Sequence, residues 1–274
     1  MNVRTVLTVL ALVAGVVLFM SPLYAMLTMA LKTPQELASS GSWEWPRQPT
    51  LDNLKAVLTS EEVRFGRLFL NSAIIATLGT LGTILTASLA AYAFARVEFP
   101  ERDRLFLVML ATVMLPGVVT IVPTYILFAK IGWVNTQLPL WVPAWLGGGA
   151  FNVFLLRQFF KSIPREYDEA ARLDGAGHAT IFWRVVLPCA GPALATVGTL
   201  TFVASWTDFL GPLLYINDRN LMPLELGLRT FQSMRGTQWH LLMAATLITF
   251  LPILAIFLVG QRYFVKGITL TSGK

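Results

Sequence analysis

Long uncharged, apolar runs alternate with short charged segments along most of this 274-residue chain. A helix needs about 20 mainly apolar residues to cross the hydrocarbon core of a bilayer, and each run is longer than that. The charged residues that bound the runs are Arg4 and Lys32, Arg67 and Arg96, Arg104 and Lys130, Lys130 and Arg157, Arg184 and Asp208, and Arg235 and Arg262. The pattern predicts an all-α integral membrane protein, a single transmembrane domain over residues 1–274, with six spans at about 6–30, 68–95, 105–129, 138–157, 188–213 and 240–262.

Composition and charge support a membrane protein. Hydrophobic residues make up 55% of the chain and charged residues 13%, with a mean hydropathy of +0.64, whereas soluble domains carry about a quarter charged residues. The net charge of +6 is better explained by Lys and Arg at cytoplasmic span ends than by a nucleic-acid-binding face. Basic residues are in modest excess after the second and fourth runs, which predicts that both termini are cytoplasmic.

The longest polar interruption after residue 68 is the loop 161–187, which ends at Pro188. Ser162 is a suitable N-cap for a short helix starting near Pro164, and Gly175 suits its left-handed C-terminal end. A second helix is expected from about His178 to Leu187, stopped by Pro188. The acidic residues Glu166, Asp168 and Glu169 complement the helix dipole. An ordinary solvated loop with two helical turns is the alternative to a docking element.

Small residues, prolines and one carboxylate within the apolar runs indicate local features of the spans. The second run carries small residues that favour close helix contacts in lipid, namely Gly79, Gly82, Ala87, Ala90, Ala91 and Ala93. Pro116, Gly117 and Pro123 predict a kinked or unwound third span, either beside a translocation path or as a plain structural kink. Asp208 is a carboxylate in an apolar stretch, which suggests a pathway or gate residue, a structural hydrogen bond or simple exposure at the interface.

Chemistry for catalysis is absent from the sequence. The sequence has no Gly-rich nucleotide-binding loop followed by Lys-Ser/Thr and no His-Glu-x-x-His zinc motif. Cys189, His178 and His240 have no further metal-ligating residues at a suitable spacing. The sequence therefore predicts no metal and no cofactor in this chain. An ion-coupled secondary carrier would need more membrane carboxylates, and a polytopic membrane enzyme would need a catalytic constellation; both remain alternatives.

The amino-acid sequence of the 161–188 loop resembles a signature of a known protein family. Glu169-Ala170-Ala171, then Gly175, then Val185-Val186-Leu187-Pro188 matches the E-A-A-x3-G-x9-I-x-L-P signature of inner-membrane permease subunits of ABC importers, with Val185 in place of the usual Ile. Further stretches resemble the smaller permease of maltose-type carbohydrate importers: Leu31-Lys32-Thr33, Ala91 to Arg96 with Phe99-Pro100, Asp208 in its Trp-x-Asp setting, and Gln261 to Thr269.

This resemblance implies a type I ABC importer permease fold with a cytoplasmic coupling helix, in a prokaryotic inner membrane. It implies a second permease subunit, a homodimeric cytoplasmic ATPase that holds ATP and Mg, an extracytoplasmic solute-binding protein, and a sugar or glycerol-phosphate-like substrate. It further implies that the chain is not itself an enzyme. The residues expected to couple to the ATPase are Glu166, Asp168, Glu169, Ala170, Ala171, Leu173, Asp174, Gly175, Leu187 and Pro188; Pro116 and Asp208 are expected along the path or at a gate.

Overall fold

A computed structural model describes residues 3–61, 63–233 and 236–271, with the side chains of 4–61, 63–232 and 236–261. The basic residues at 262, 266 and 274, and the motif beyond Gln261, lie outside the described side chains.

The fold is built almost entirely from helices. The α-helices of the described residues are α1 (Val3–Ala30), α2 (Pro34–Ser39), α3 (Asp52–Thr59), α4 (Phe65–Arg96), α5 (Arg102–Ala111), α6 (Gly117–Lys130), α7 (Leu138–Trp141), α8 (Ala150–Ser162), α9 (Glu166–Leu173), α10 (His178–Ile181), α11 (Leu187–Cys189), α12 (Gly191–Trp206), α13 (Leu210–Tyr215), α14 (Leu224–Gly227) and α15 (Trp239–Thr271). Short 3-10 helices cover Thr112–Met114, Val142–Leu146 and Leu228–Phe231, and a π-helix covers Phe182–Val186. Two short antiparallel strands, β1 (Gln232–Ser233) and β2 (Gly236–Thr237), form a ribbon.

Four helical segments are each long and apolar enough to cross a membrane: Arg4–Ala30, Phe65–Arg96, Leu138–Ser162 and Trp239–Gln261. Two further pairs of helices qualify together but are sharply bent. Arg102–Met114 and Gly117–Lys130 meet at 96°, and His178–Cys189 and Gly191–Trp206 meet at 79°. With each bent pair taken as one span, the described residues form six, the number that the hydrophobic pattern predicts.

The chain divides into two compact units. The first comprises Met1–Phe69 and Leu226–Pro252, and the second comprises Leu70–Glu225 and Ile253–Lys274. In the first, Lys32 is fully buried and its Nζ donates to the Ser40 hydroxyl at 3.0 Å and the Gly41 carbonyl at 2.6 Å. In the second, the ends of α4 and α8 share one hydrophobic core with the helices of the 161–188 loop.

Helix α4 is the surface on which the broken fourth span packs. A Cβ on Gly82 would lie 2.5 Å from the Trp145 ring, and one on Gly148 would lie 2.6 Å from the backbone nitrogen of Ala87. Trp145 also donates its indole N–H to the Leu78 carbonyl at 3.1 Å. The small residues of the second run therefore allow the close approach that the sequence predicts.

The breaks in the spans occur at prolines and glycines. The third span breaks just before α6, with Pro116 as the residue that precedes the helix, as expected; Pro123 lies inside α6. The fourth span contains a break that the sequence pattern does not predict, where Gly147, Gly148 and Gly149 all have positive φ. The expectation that Pro188 stops the second loop helix is wrong. Helical structure continues through the π-helix to Cys189, because Pro188 sits in the first turn of α11, where a missing N–H is tolerated.

Candidate functional site

The candidate site is the helix–turn–helix between the fourth and fifth spans, and its first helix starts later than expected. Helix α9 begins at Glu166 after Arg165, without a side-chain cap. Ser162 is the last residue of α8, and its hydroxyl donates to the Phe159 carbonyl at 2.7 Å within that helix. The predicted Ser162 cap and Pro164 start are therefore wrong, because α8 runs further and uses Ser162 for its own last turn.

The C-terminal end of α9 agrees with the sequence prediction. Gly175 has φ +83°, a left-handed conformation that costs glycine nothing. The N–H of Gly175 donates to the Arg172 carbonyl and the N–H of Ala176 to the Ala171 carbonyl, both at 2.9 Å. These two bonds define a Schellman motif, which satisfies carbonyls at the end of the helix. The prediction for Gly175 is confirmed.

The expected coupling residues divide between an outer and an inner face. Leu173 is 91% exposed, and Tyr167, which is not one of the expected residues, is 55% exposed, so α9 presents two large apolar side chains to its surroundings. Ala171 and Leu187 are half-buried and pack against the hydrophobic core. The other exposed members are Glu166, Glu169, Ala170, Asp174, Gly175 and Pro188.

Asp168 lies on the inner face and is buried, unlike its acidic neighbours. Its Oδ2 lies 3.3 Å from a guanidinium nitrogen of Arg96, the last residue of α4. Arg96 also donates to the carbonyls of Phe160 at 2.7 Å and Ile163 at 2.5 Å. Sequence reasoning assigned Asp168 to the helix dipole and to the coupling residues, and it missed this ion pair. The sequence feature that could have indicated the ion pair was the basic residue Arg96 at the end of the Ala91–Arg96 stretch.

A second contact joins α4 to the other loop helix. The Tyr92 hydroxyl lies 3.3 Å from Nδ1 of His178, the first residue of α10. The Tyr92 ring also packs edge-on against Phe182, with ring centroids 5.3 Å apart. Polar side chains around Arg96, Asp168 and His178 line a cleft of about 230 Å³.

Another arginine fixes the start of the third span. Arg157 on α8 is buried, and it lies 3.3 Å from Oδ1 of Asp103 and donates to the Phe94 carbonyl at 3.2 Å. Its guanidinium carbon also lies 3.8 Å from the centroid of the Phe106 ring, a cation–π arrangement. The first turns of α5 are thereby tied to α4 and α8.

Asp208 and Pro116 each lie where one helix has ended and the next begins. Asp208 is half-buried between α12 and α13, and its Oδ1 accepts the backbone N–H of Gly211 at 3.1 Å. Pro116 is exposed immediately before α6. Among the residues that the structure describes, no group of His, Cys, Asp and Glu is arranged to hold a metal ion.

Residues 84–270 match the family of binding-protein-dependent transport system inner membrane components. The match covers the end of α4, the helix–turn–helix and the later spans. The chain belongs to this family of permeases.

Full-length relatives agree with the assignment. The permease is 34% identical over 263 residues to the sn-glycerol-3-phosphate transport system permease protein UgpE of Yersinia pestis, covering 94% of this chain and 93% of the relative. It is 33% identical over 260 residues to the osmoprotective compounds uptake permease protein GgtD of Synechocystis, covering 92% and 87%.

A solved structure shows the same fold. The permease superposes with a TM-score of 0.85 and 19% identity on a chain of a bacterial ABC transporter that imports the acidic polysaccharide alginate, covering 96% of both chains. The predicted all-α ABC importer permease fold is therefore confirmed. The family is one of transport permeases, so the alternatives of a secondary carrier and a membrane enzyme are not favoured.

Proposed function

We propose that this permease forms half of the translocation pathway of an ATP-driven, binding-protein-dependent importer of sugars or glycerol-phosphate-like solutes. The relative named for sn-glycerol-3-phosphate transport supports the glycerol-phosphate part of this range. The sugar part rests on the resemblance to maltose-type importer permeases. The other half of the pathway belongs to a second permease subunit, and an extracytoplasmic solute-binding protein delivers the solute. The complex lies in a prokaryotic inner membrane, with both termini of this chain in the cytoplasm.

A homodimeric cytoplasmic ATPase supplies the energy, and α9 is where it docks. The observation that carries this proposal is a short helix, ended by a Schellman motif, that projects Leu173 and Tyr167 away from the hydrophobic core. Ala170 between them is small, so a partner surface can approach the helix backbone closely. ATP and Mg bind in that partner, since this chain has no nucleotide-binding loop.

Asp208 and Pro116, the two residues predicted along the path, are proposed to act at a gate. Asp208 occupies the break between α12 and α13, and Pro116 the break before α6. Breaks at membrane depth are tolerated where protein or a water-filled path covers the freed backbone groups. Outward and inward opening at these breaks would alternate with ATP binding and hydrolysis.

Docking is tested by co-purification. Leu173→Asp, expressed with the partner subunits, is expected to weaken ATPase binding about thirtyfold and so to reduce the recovered ATPase, since truncating an interface anchor costs about 2 kcal/mol. The matched control is Leu58→Asp, on the short helix α3, because Leu58 is 57% exposed and lies outside the predicted spans. Recovery of ATPase with Leu173→Asp at the level of the control would contradict docking through α9.

The substrate class is tested separately, in proteoliposomes that contain the whole complex and its binding protein. Uptake of radiolabelled glycerol 3-phosphate or of a maltodextrin, dependent on ATP, is the expected result. Uptake confined to solutes of another class, such as amino acids, would overturn this part of the proposal and leave the docking result unaffected.

A further inference from the structure

The last turn of α4 carries two side chains that reach different helices of the loop. Tyr92 and Arg96 are four residues apart, so they lie on the same face of α4, one turn from each other. Arg96 contacts α9 through Asp168, and Tyr92 contacts α10 through His178. The end of one span therefore contacts both parts of the helix–turn–helix.

Arg96 joins three elements with a single side chain. Its guanidinium carries five N–H donors in a planar fork, and here it reaches the Asp168 carboxylate on α9 and the carbonyls of Phe160 and Ile163 at the end of α8. Carbonyls at a helix C-terminus lack intrahelical donors. The Arg96 side chain is only 2% exposed, so water does not replace these bonds.

The Tyr92 contact is of a different kind. Its ring is buried beside Phe182, the first residue of the π-helix, and its hydroxyl lies beside the His178 ring. This arrangement fixes the start of the second loop helix by packing and one polar contact. A displacement of that helix therefore also acts on α4.

We propose that the last turn of α4 is the receiving point of the coupling loop, and that Arg96 is its positioning residue. This inference rests on the proposed docking of the ATPase on α9. Helix α9 is joined covalently to α8 and α10 and packs on the hydrophobic core that they share with α4. Arg96 adds a polar contact from α9 to the second span, and Tyr92 adds one from α10. When the ATPase moves α9, Arg96 moves the end of α4 with it.

The pair is more than a filler of the core. Asp168 Oδ1 and Arg96 Nε are buried without a hydrogen-bond partner in the part of the chain that the structure describes. Apolar residues of similar volume often replace a buried ion pair without loss of stability. Such a replacement would keep the core filled here but lose the polar links from α4 to α8 and α9. An apolar replacement of the pair therefore distinguishes a positioning role from a packing role.

The test uses the complete complex in proteoliposomes, with the fold-stimulation of ATP hydrolysis by the solute-loaded binding protein as the readout. The variants are Asp168→Asn, Arg96→Met and the double variant Arg96→Met with Asp168→Leu. The control is Arg104→Gln, which removes an exposed ion pair of 2.8 Å with Glu101.

We expect Arg96→Met and the double variant to lose most of the stimulation, at least tenfold, while the amount of ATPase that co-purifies stays within twofold of wild type. Asp168→Asn keeps an acceptor for Arg96 and is expected to retain more stimulation than Arg96→Met. Arg104→Gln should match wild type. If the double variant restores wild-type stimulation, the pair serves packing alone and the inference fails.

A loss of bound ATPase would lead to a different conclusion. If Arg96→Met releases the ATPase as Leu173→Asp does, Arg96 shapes the docking surface and the proposed transmission to α4 is wrong. If Leu173→Asp retains the ATPase, the proposed docking fails instead, whatever Arg96 does. Should Arg96→Met not accumulate in membranes, the double variant decides: wild-type stimulation there overturns the inference, and loss of stimulation there supports it.

Discussion

At Gly175 the chain turns between the two loop helices through a conformation that only glycine adopts without strain. Its φ is +83°, and no atom lies within 4 Å of the position that a Cβ would occupy. A substitution there therefore meets no neighbour, and its whole cost is backbone strain, about 1–2 kcal/mol. That amount is local to the end of α9 and lies outside the spans.

We predict that Gly175→Val leaves the permease inserted and paired with its partner but lowers solute-stimulated ATP hydrolysis, because α9 loses its Schellman motif. The measurement compares membrane level, ATPase binding and stimulation in one preparation. Gly177→Val is the control, since Gly177 has φ −79° and open space for a side chain. Equal stimulation in the two variants would show that the turn geometry does not matter for coupling.

Asp208 offers a second prediction at a single residue, because its carboxylate has both a charge and a capping bond. Asn keeps the acceptor for the Gly211 N–H and removes the charge, whereas Ala removes both. If Asp208 acts at a gate, Asp208→Asn leaves the complex assembled and changes the uptake rate. Normal uptake with Asp208→Asn together with loss in Asp208→Ala would assign the residue to capping alone.

Individual roles within the loop were only partly predictable. The left-handed position of Gly175 follows from local backbone chemistry, so the sequence was sufficient. Asp168 looks like Glu166 and Glu169 to any local rule, since all three lie in the first turn of α9. Only the approach of Arg96, 72 residues earlier in the chain, distinguishes it, and that contact depends on the tertiary fold.

Among the elements, α4 determines how the broken fourth span is seated. Gly148 sits so close to α4 that a Cβ would lie 2.6 Å from Ala87 and 2.8 Å from the Thr83 carbonyl. Both neighbours include backbone atoms of a long helix, which cannot yield as a flexible side chain would. Gly148 therefore has to be glycine for two reasons, positive φ and close approach.

We predict that Gly148→Ala destabilises the permease more than Gly149→Ala. Both positions have positive φ, and Gly149 with ψ +133° lies outside the left-handed helical region, so each substitution carries about 1–3 kcal/mol of backbone strain. Only Gly148→Ala adds a clash with α4, and overpacking of this kind costs about 1–3 kcal/mol more. Thermal unfolding in detergent measures the difference, and the same midpoint for both variants would contradict the packing shown by the structure.

Sequence patterns indicated the number of apolar spans better than the breaks within them. Hydropathy places six apolar runs because each one must satisfy a bilayer of fixed thickness. The break at Pro116 was predictable, since proline removes a helical hydrogen bond. The break at Gly147–Gly149 was not, because glycines at membrane depth indicate close packing as readily as a turn. The π-helix before Pro188 likewise has no sequence signal that we recognise.

Taken as a whole, the chain exposes large apolar surfaces that water would not tolerate. On α6 alone, Val118 is 74% and Val119 is 66% exposed, and the candidate span in α1 has no buried residues in its most apolar window. Lipid is the surrounding that such surfaces require, and the proposed second permease subunit would cover part of them. The orientation of the chain in the membrane decides whether α9 can reach a cytoplasmic ATPase.

Cys189 tests the orientation directly, because it is the only cysteine and is exposed at the end of α11. If α9 meets a cytoplasmic ATPase, Cys189 lies near the cytoplasmic face. A membrane-impermeant maleimide should then label it in inverted vesicles and not in sealed right-side-out vesicles.

Two single-cysteine variants on a Cys189→Ser background test the same orientation, one from each side of the membrane. Leu173→Cys, at the exposed end of α9, should behave like Cys189, whereas Trp43→Cys, in the polar segment after the first span, should react only from the outside. An even number of spans then places both termini on the side of Leu173. Labelling of Cys189 and Leu173→Cys from outside alone would reverse the orientation, and α9 would be out of reach of any ATPase.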